Sequence, residues 1–207
     1  MDLSRPASVM VPAGTEAVLR VLAGSEAALG VRQVARLAGV SANRASQVLS
    51  ELAEHGLVSV DEHGAGRLCR LNRRHLAADP LLALIGLRGR LIEFLRSEIA
   101  SWRNRPRHVS LFGSAARGGA TTRSDLDLLV IRPEGANDSD DDSWEDQLFT
   151  CGERIFAATG NRAAWFVITP SDLRRAVGAG EPIIGEWRRD AIHLAGRRLD
   201  ALLREAA

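Results

Sequence analysis

SLFGSAARGGATTRSDLDLLVI, residues 110–131, carries an alternation that decides the fold of the second half of the chain. Its ends read as strands, one over 108–112 and one over 126–131, joined by a turn of small residues. In an extended strand residues i and i+2 face the same side, so Asp125 and Asp127 share a face while Leu126 and Leu128 point to the core. Two carboxylates so placed offer hard oxygen donors to one or two Mg²⁺ ions. Gly113 and Ser114, directly after the first strand, let a backbone and a hydroxyl approach a phosphate at the start of a short helix, and Arg117 adds a cation.

Downstream the pattern stays α/β. The acidic run 134–142 reads as a solvated, mobile loop, 144–158 as a helix and 163–169 as a third strand. Pro170 and Ser171 open a helix, Pro182 opens another, and a Leu-bearing helix over 197–205 closes the stretch. Upstream, Leu84, Ile85, Leu91, Ile92, Leu95 and Ile99 recur at helical spacing. One long helix over 81–102 is therefore expected to connect two domains and to serve as the interface of a homodimer, with 103–107, around Pro106, as the boundary.

The first half follows a different plan. After a loose leader holding Pro6, Pro12 and Gly14, Val18, Val21 and Leu22 share a helical face, and Val31, Val34, Ala35 and Ala38 mark a second short helix that breaks at Gly39. Ser41 is a natural N-cap for a third, which buries Ala45, Val48, Leu49 and Leu52 and turns Asn43, Arg44, Ser46 and Gln47 outward. Two β-prone pieces, 57–60 and 67–71, flank a Gly-bearing turn at 61–66. Three helices and a hairpin make a winged helix, and VRQVARLAGVSANRASQVLSELAEHGLVSV resembles many bacterial transcription regulators of that class. Such a module sets its third helix in the major groove of double-stranded DNA, here through Ser41, Asn43, Arg44 and Gln47, with Arg67 and Arg70 of the wing on phosphates. A tri-helical protein-interaction module is the alternative.

Composition limits the remaining options. Across 207 residues, 27 basic side chains nearly cancel 26 acidic ones, so any nucleic-acid surface must be local. Cys69 and Cys151 stand apart without metal-ligand spacing, which argues against a disulfide framework or a zinc site and for a reducing cytoplasm. The five histidines are scattered and the four tryptophans read as packing residues. No run of about 18 apolar residues suggests a membrane span.

The segment 109–131 resembles the signature of DNA polymerase beta-type nucleotidyltransferases, above all the minimal members, in which a Gly-Ser turn precedes a Ser-Asp-x-Asp strand. The resemblance implies that Gly113 and Ser114 bind triphosphate, that Asp125 and Asp127 bind metal and carry the chemistry, and that Ser124 shapes the turn. It further implies transfer of a nucleoside monophosphate, AMP in the minimal subfamily, to a hydroxyl of a protein such as a partner toxin, of RNA or of a small molecule. The family's third carboxylate, expected near Ala164, is missing from GNRAAWFVITPSDLRRA. Either another acid, such as Glu134, Asp172 or Glu181, substitutes, or the domain binds nucleotide with weak or absent catalysis.

The expected fold class is thus α+β. A flexible leader (1–14) and a winged helix-turn-helix domain (15–75) precede a connecting helix (76–104) and a small nucleotidyltransferase α/β domain with a mixed sheet (105–207). Three functions fit: a Mg²⁺-dependent, ATP-using transferase, a DNA-binding regulator whose degenerate domain senses nucleotide, or an antitoxin-like binding module.

Overall fold

In a computed structural model, residues 1–63, 66–134 and 138–207 are described. Gly64 and Ala65 of the expected hairpin turn, and 135–137 of the expected acidic loop, lie outside them. The chain forms two compact units, residues 5–87 in one and residues 1–4 with 88–207 in the other.

The first unit holds α1 (Ala13–Ala23), β1 (Leu29–Gly30), α2 (Val31–Ala38), α3 (Ala42–Glu54), β2 (Val58–His63), β3 (Gly66–Leu71) and α4 (Ala78–Ile85). Its antiparallel sheet has the order β1-β3-β2. Val18, Leu22, Val34, Val48, Leu49, Cys69 and Leu71 close over one another as its core. Gly39 ends α2 in the left-handed region at φ 66°, where glycine is favoured, and Ser41 then caps α3 by accepting the Arg44 N–H at 3.2 Å. This is the helix-turn-helix the sequence predicts. Strand β1 was beyond reach of its periodicity: two residues cannot show one, and they become a strand only by pairing with Leu68 and Cys69.

The second unit follows with α5 (Leu87–Ala100), β4 (His108–Phe112), α6 (Gly113–Ala116), β5 (Leu126–Ile131), α7 (Asp138–Thr159), β6 (Ala163–Ile168), α8 (Pro170–Gly178), α9 (Pro182–Asp190), β7 (Ile192–Gly196) and α10 (Leu199–Ala206). The mixed sheet runs β6-β5-β4-β7, parallel between β5 and β6 and antiparallel elsewhere. Both faces are covered. Val109, Leu111, Leu128 and Val130 meet Leu95, Ile99, Trp102 and Ile155 on one side, while Phe112, Leu129 and Ile131 meet Leu173, Ile184, Trp187 and Leu202 on the other. The tryptophans pack as expected, with Trp102 edge-on to Trp144 at 6.2 Å.

Several expectations are corrected. The helix over 81–102 is two helices that separate at Gly86, and each serves its own core: Leu81 and Leu82 of α4 join the first, Leu91, Leu95 and Ile99 of α5 the second. The units therefore divide after Leu87, and 103–107 lies inside the second unit, where the Arg107 N–H donates to the Ile131 carbonyl at 2.8 Å. The leader is not loose, because Leu3 is buried in the second unit's core and donates its N–H to the Ala120 carbonyl at 2.8 Å. Helix α7 begins at Asp138, inside the run expected to be a loop. Strand β7, which the sequence reading did not pick out, lies before α10. Among the described residues no helix is long and apolar enough to cross a membrane.

Candidate active site

Antiparallel pairing of β4 with β5 sets Phe112 opposite Asp127, so the Gly113 turn and the start of β5 meet at one end of the sheet. Gly113 adopts φ +68°, and a Cβ there would run into the Asp127 carboxylate, whose Cγ lies only 3.1 Å from that position. A side chain at residue 113 is thus excluded twice, by conformation and by space. Asp127 is half-buried on β5 and Asp125 is exposed just before it, the i, i+2 relation read from the sequence. Burial, then the negative charge of Asp125, raise the Asp127 carboxyl above the ordinary aspartate value; Arg117 draws it down and Glu186 pushes it up. Neighbouring anions with this mutual repulsion and hard oxygen atoms are a donor set that a divalent cation fits.

The turn before Asp125 is braced from within. Ser124 Oγ accepts the Thr121 N–H at 3.0 Å, and Asn161 Nδ2 donates to the carbonyls of Thr121 and Ser124 at 2.9 and 2.7 Å. Ser114 is half-buried in the single turn α6, and Arg117 follows at its C-cap. Gly113, Ser114, Arg117, Ser124, Asp125 and Asp127 thus lie at one end of the sheet.

Three further residues escaped the sequence. Arg117 is ion-paired with Asp190 of α9, whose side chain is only 4% exposed and also accepts from Arg189 Nε at 3.0 Å. Glu186, one helical turn before Asp190, contributes to the field at Asp127. Arg88 donates to the Ala116 carbonyl and lies along Gly118. No local signal marks them, since only the order of the sheet brings α9 and α5 to this turn.

The position sought for a third acid is now defined. Ala164 lies in register with Asp127 on the neighbouring parallel strand, and 163–168 is without acids. The expected substitutes sit elsewhere. Glu134 and Asp172 follow the far ends of β5 and β6, about 13 Å along the strand from Asp127 at roughly 3.3 Å per residue. Both are committed to structure, Glu134 to Arg174 at 3.0 Å and Asp172 to a capping box with Thr169. Glu181 is the N-cap of α9, at the end away from Asp190. Among the described residues no three Asp, Glu, His or Cys side chains are gathered as a metal site.

The recognition surface is less convergent. Asn43 and Gln47 are exposed on α3, but Arg44 is folded against α1, its Nη2 donating to Thr15 Oγ1 at 3.4 Å. Arg67 shares a face of β3 with Cys69 and Leu71 and donates to Ser50 of α3 at 3.3 Å. Arg70 is at odd spacing from it and exposed on the other face, beside Arg73 and Arg74. The two wing arginines are therefore not brought together.

With this geometry in view, comparison with known proteins defines the class. The IclR helix-turn-helix domain matches residues 16–62, and the nucleotidyltransferase domain matches residues 92–160. The chain joins an IclR-type helix-turn-helix domain to a nucleotidyltransferase domain. No curated protein sequence matches it. Among solved structures it is similar to a toxin-antitoxin with AMP-PNP, at 18% identity and TM-score 0.34 over 57% of this chain and 82% of that one. A mutant of the toxin-antitoxin MntA-HpeT is similar at 15% identity and TM-score 0.33, with the same coverage of 57% and 82%.

Proposed function

We propose that the second unit is a Mg²⁺-dependent nucleotidyltransferase that moves a nucleoside monophosphate, AMP from ATP, to a hydroxyl of a protein, RNA or small-molecule acceptor in the cytoplasm, and that the first unit binds double-stranded DNA. The observation that carries it is the Gly113 turn closed against Asp127, with Asp125 beside it. Gly113 and Ser114 receive the triphosphate at the turn, and Arg117 faces its charge. Asp125 and Asp127 hold the metal, which when bound stabilises the oxygens entering and leaving at the α-phosphorus. Ser124 keeps the turn in shape, so the carboxylates are placed before substrate arrives. The acceptor oxygen bonds to the α-phosphorus as the bond to pyrophosphate breaks.

On the first unit, Ser41 sets the start of α3, Asn43, Arg44 and Gln47 meet base edges, and Arg67 and Arg70 meet phosphates. Arg44 must first leave Thr15, and only one wing arginine lies on the α3 side.

Ala164 beside Asp127 favours a second reading, in which the domain senses nucleotide and the winged helix acts as a regulator. Transfer of label from α-³²P-ATP to macromolecules of a bacterial lysate separates the two. Labelling that vanishes in an Asp125→Ala, Asp127→Ala double variant supports transfer. Mg²⁺-dependent binding of ATP without labelling supports sensing.

A further inference from the structure

The geometry points to α9 as the missing third side of the active site, with Glu186 as the base that takes the acceptor's proton and Asp190 as a positioning residue that aims Arg117. This rests on the transferase reading above. Three observations place the helix. Strand β7 pairs with β4 so that Ile192 stands opposite Leu111, which brings the end of α9 to the same end of the sheet as Gly113 and Asp127. Trp187 is buried edge-on to Phe112, the residue before Gly113, with ring centroids 6.1 Å apart. Asp190, 4% exposed, is bonded to Arg117.

Those contacts fix the face of α9 on which Glu186 sits. Residues i and i+4 of a helix share a face about 6 Å apart along the axis, so Glu186 lies one turn back from the Arg117–Asp190 pair. It is exposed, as a base that must reach an incoming acceptor has to be, and its charge is felt at Asp127. The strand position beside Asp127 is Ala164, and the other candidate acids cap or pair at distant points. Among the described residues, α9 brings two carboxylates to this end of the sheet, and Asp190 is taken by Arg117 and Arg189, which leaves Glu186.

In the step so assigned, the acceptor oxygen bonds to the α-phosphorus as its proton passes to the Glu186 carboxylate. The bond from the α-phosphorus to the bridging oxygen breaks, and the electron pair leaves with pyrophosphate. Asp190 takes no proton; it holds the Arg117 guanidinium at the phosphate turn.

The test uses the full chain with Mg²⁺ and ATP, measuring pyrophosphate release with and without a bacterial lysate as acceptor pool, and binding of α,β-methylene-ATP by calorimetry. Glu186→Gln is expected to lower kcat about 100-fold, with the KM for ATP and the affinity for the analogue unchanged. Glu186→Asp recovers part of the rate, which a merely structural role would not require. Asp190→Asn does the reverse, raising KM and weakening the analogue about tenfold with kcat within about threefold. Wild-type turnover in Glu186→Gln overturns the assignment and leaves the transferase reading intact. No release from wild type, or undiminished release from the Asp125→Ala, Asp127→Ala variant, overturns both.

Discussion

At the Gly113 turn, strands paired residue by residue bring a glycine, two aspartates and an arginine to one place; at α3 and its wing, the side chains expected to act together face different ways. Both surfaces are announced by short motifs. The difference lies in what enforces convergence. Pairing of β4 with β5 leaves Asp127 nowhere to be but against Gly113. Arg44 on α3 and Arg67 and Arg70 on opposite faces of β3 are long side chains, and local partners have taken the first two. A catalytic pocket must be preorganised, whereas a DNA surface can exchange such contacts for phosphates on binding.

The largest effect that would sharpen this contrast comes from Gly113→Val. A β-branched side chain at positive φ, driven into Asp127, should cost on the order of 3 kcal/mol and abolish binding of Mg²⁺ and ATP. Urea unfolding would show the loss confined to the second unit's transition, and a variant that binds ATP normally would break the account of the turn.

Nearly as large an effect should come from acid. His108 is buried on β4, with Nδ1 2.7 Å from the Arg197 carbonyl, and burial lowers its pKa from 6.5 to about 4. Between these values the unfolded chain binds a proton that the folded one refuses, so stability is full above pH 6.5 and falls as pH drops toward 4. The loss approaches roughly 3 kcal/mol. Urea midpoints across that range should move for the second unit and not for the first, and His108→Gln should flatten the slope.

How far the sequence reaches follows the same division. The winged helix, strands β4 and β5 and the aspartate pair were legible because 3.6- and 2-residue periods and a glycine stop are local signals. The split at Gly86 was not, since both helices carry apolar residues at one spacing and only the two cores tell them apart. Strands β1 and β7 depend on partners distant in sequence. Glu186 and Asp190 stand four apart in plain view, but their nearness to Asp127 is a product of sheet order. Of the substitutes the sequence offers, Glu134, Asp172 and Glu181, strand direction puts the first two past the far ends of β5 and β6, and the third caps the far end of α9.

Smaller effects test the DNA surface. Ser41→Ala removes the α3 cap and should lower the first unit's stability by about 1 kcal/mol. Arg67→Ala and Arg70→Ala should each lower the salt slope of DNA binding by about 0.9, since each removes one phosphate contact. An unchanged slope for Arg70→Ala would mean that only the α3 side of β3 meets the backbone.

The Gly113 turn and the two aspartates are proposed to form one site for a metal-bound nucleoside triphosphate. It is tested most directly by calorimetric titration of ATP into the wild type and the Asp125→Ala, Asp127→Ala variant, each with Mg²⁺ and with EDTA. Binding that needs both Mg²⁺ and the aspartates is the predicted result. Binding of equal affinity in all four titrations would contradict it.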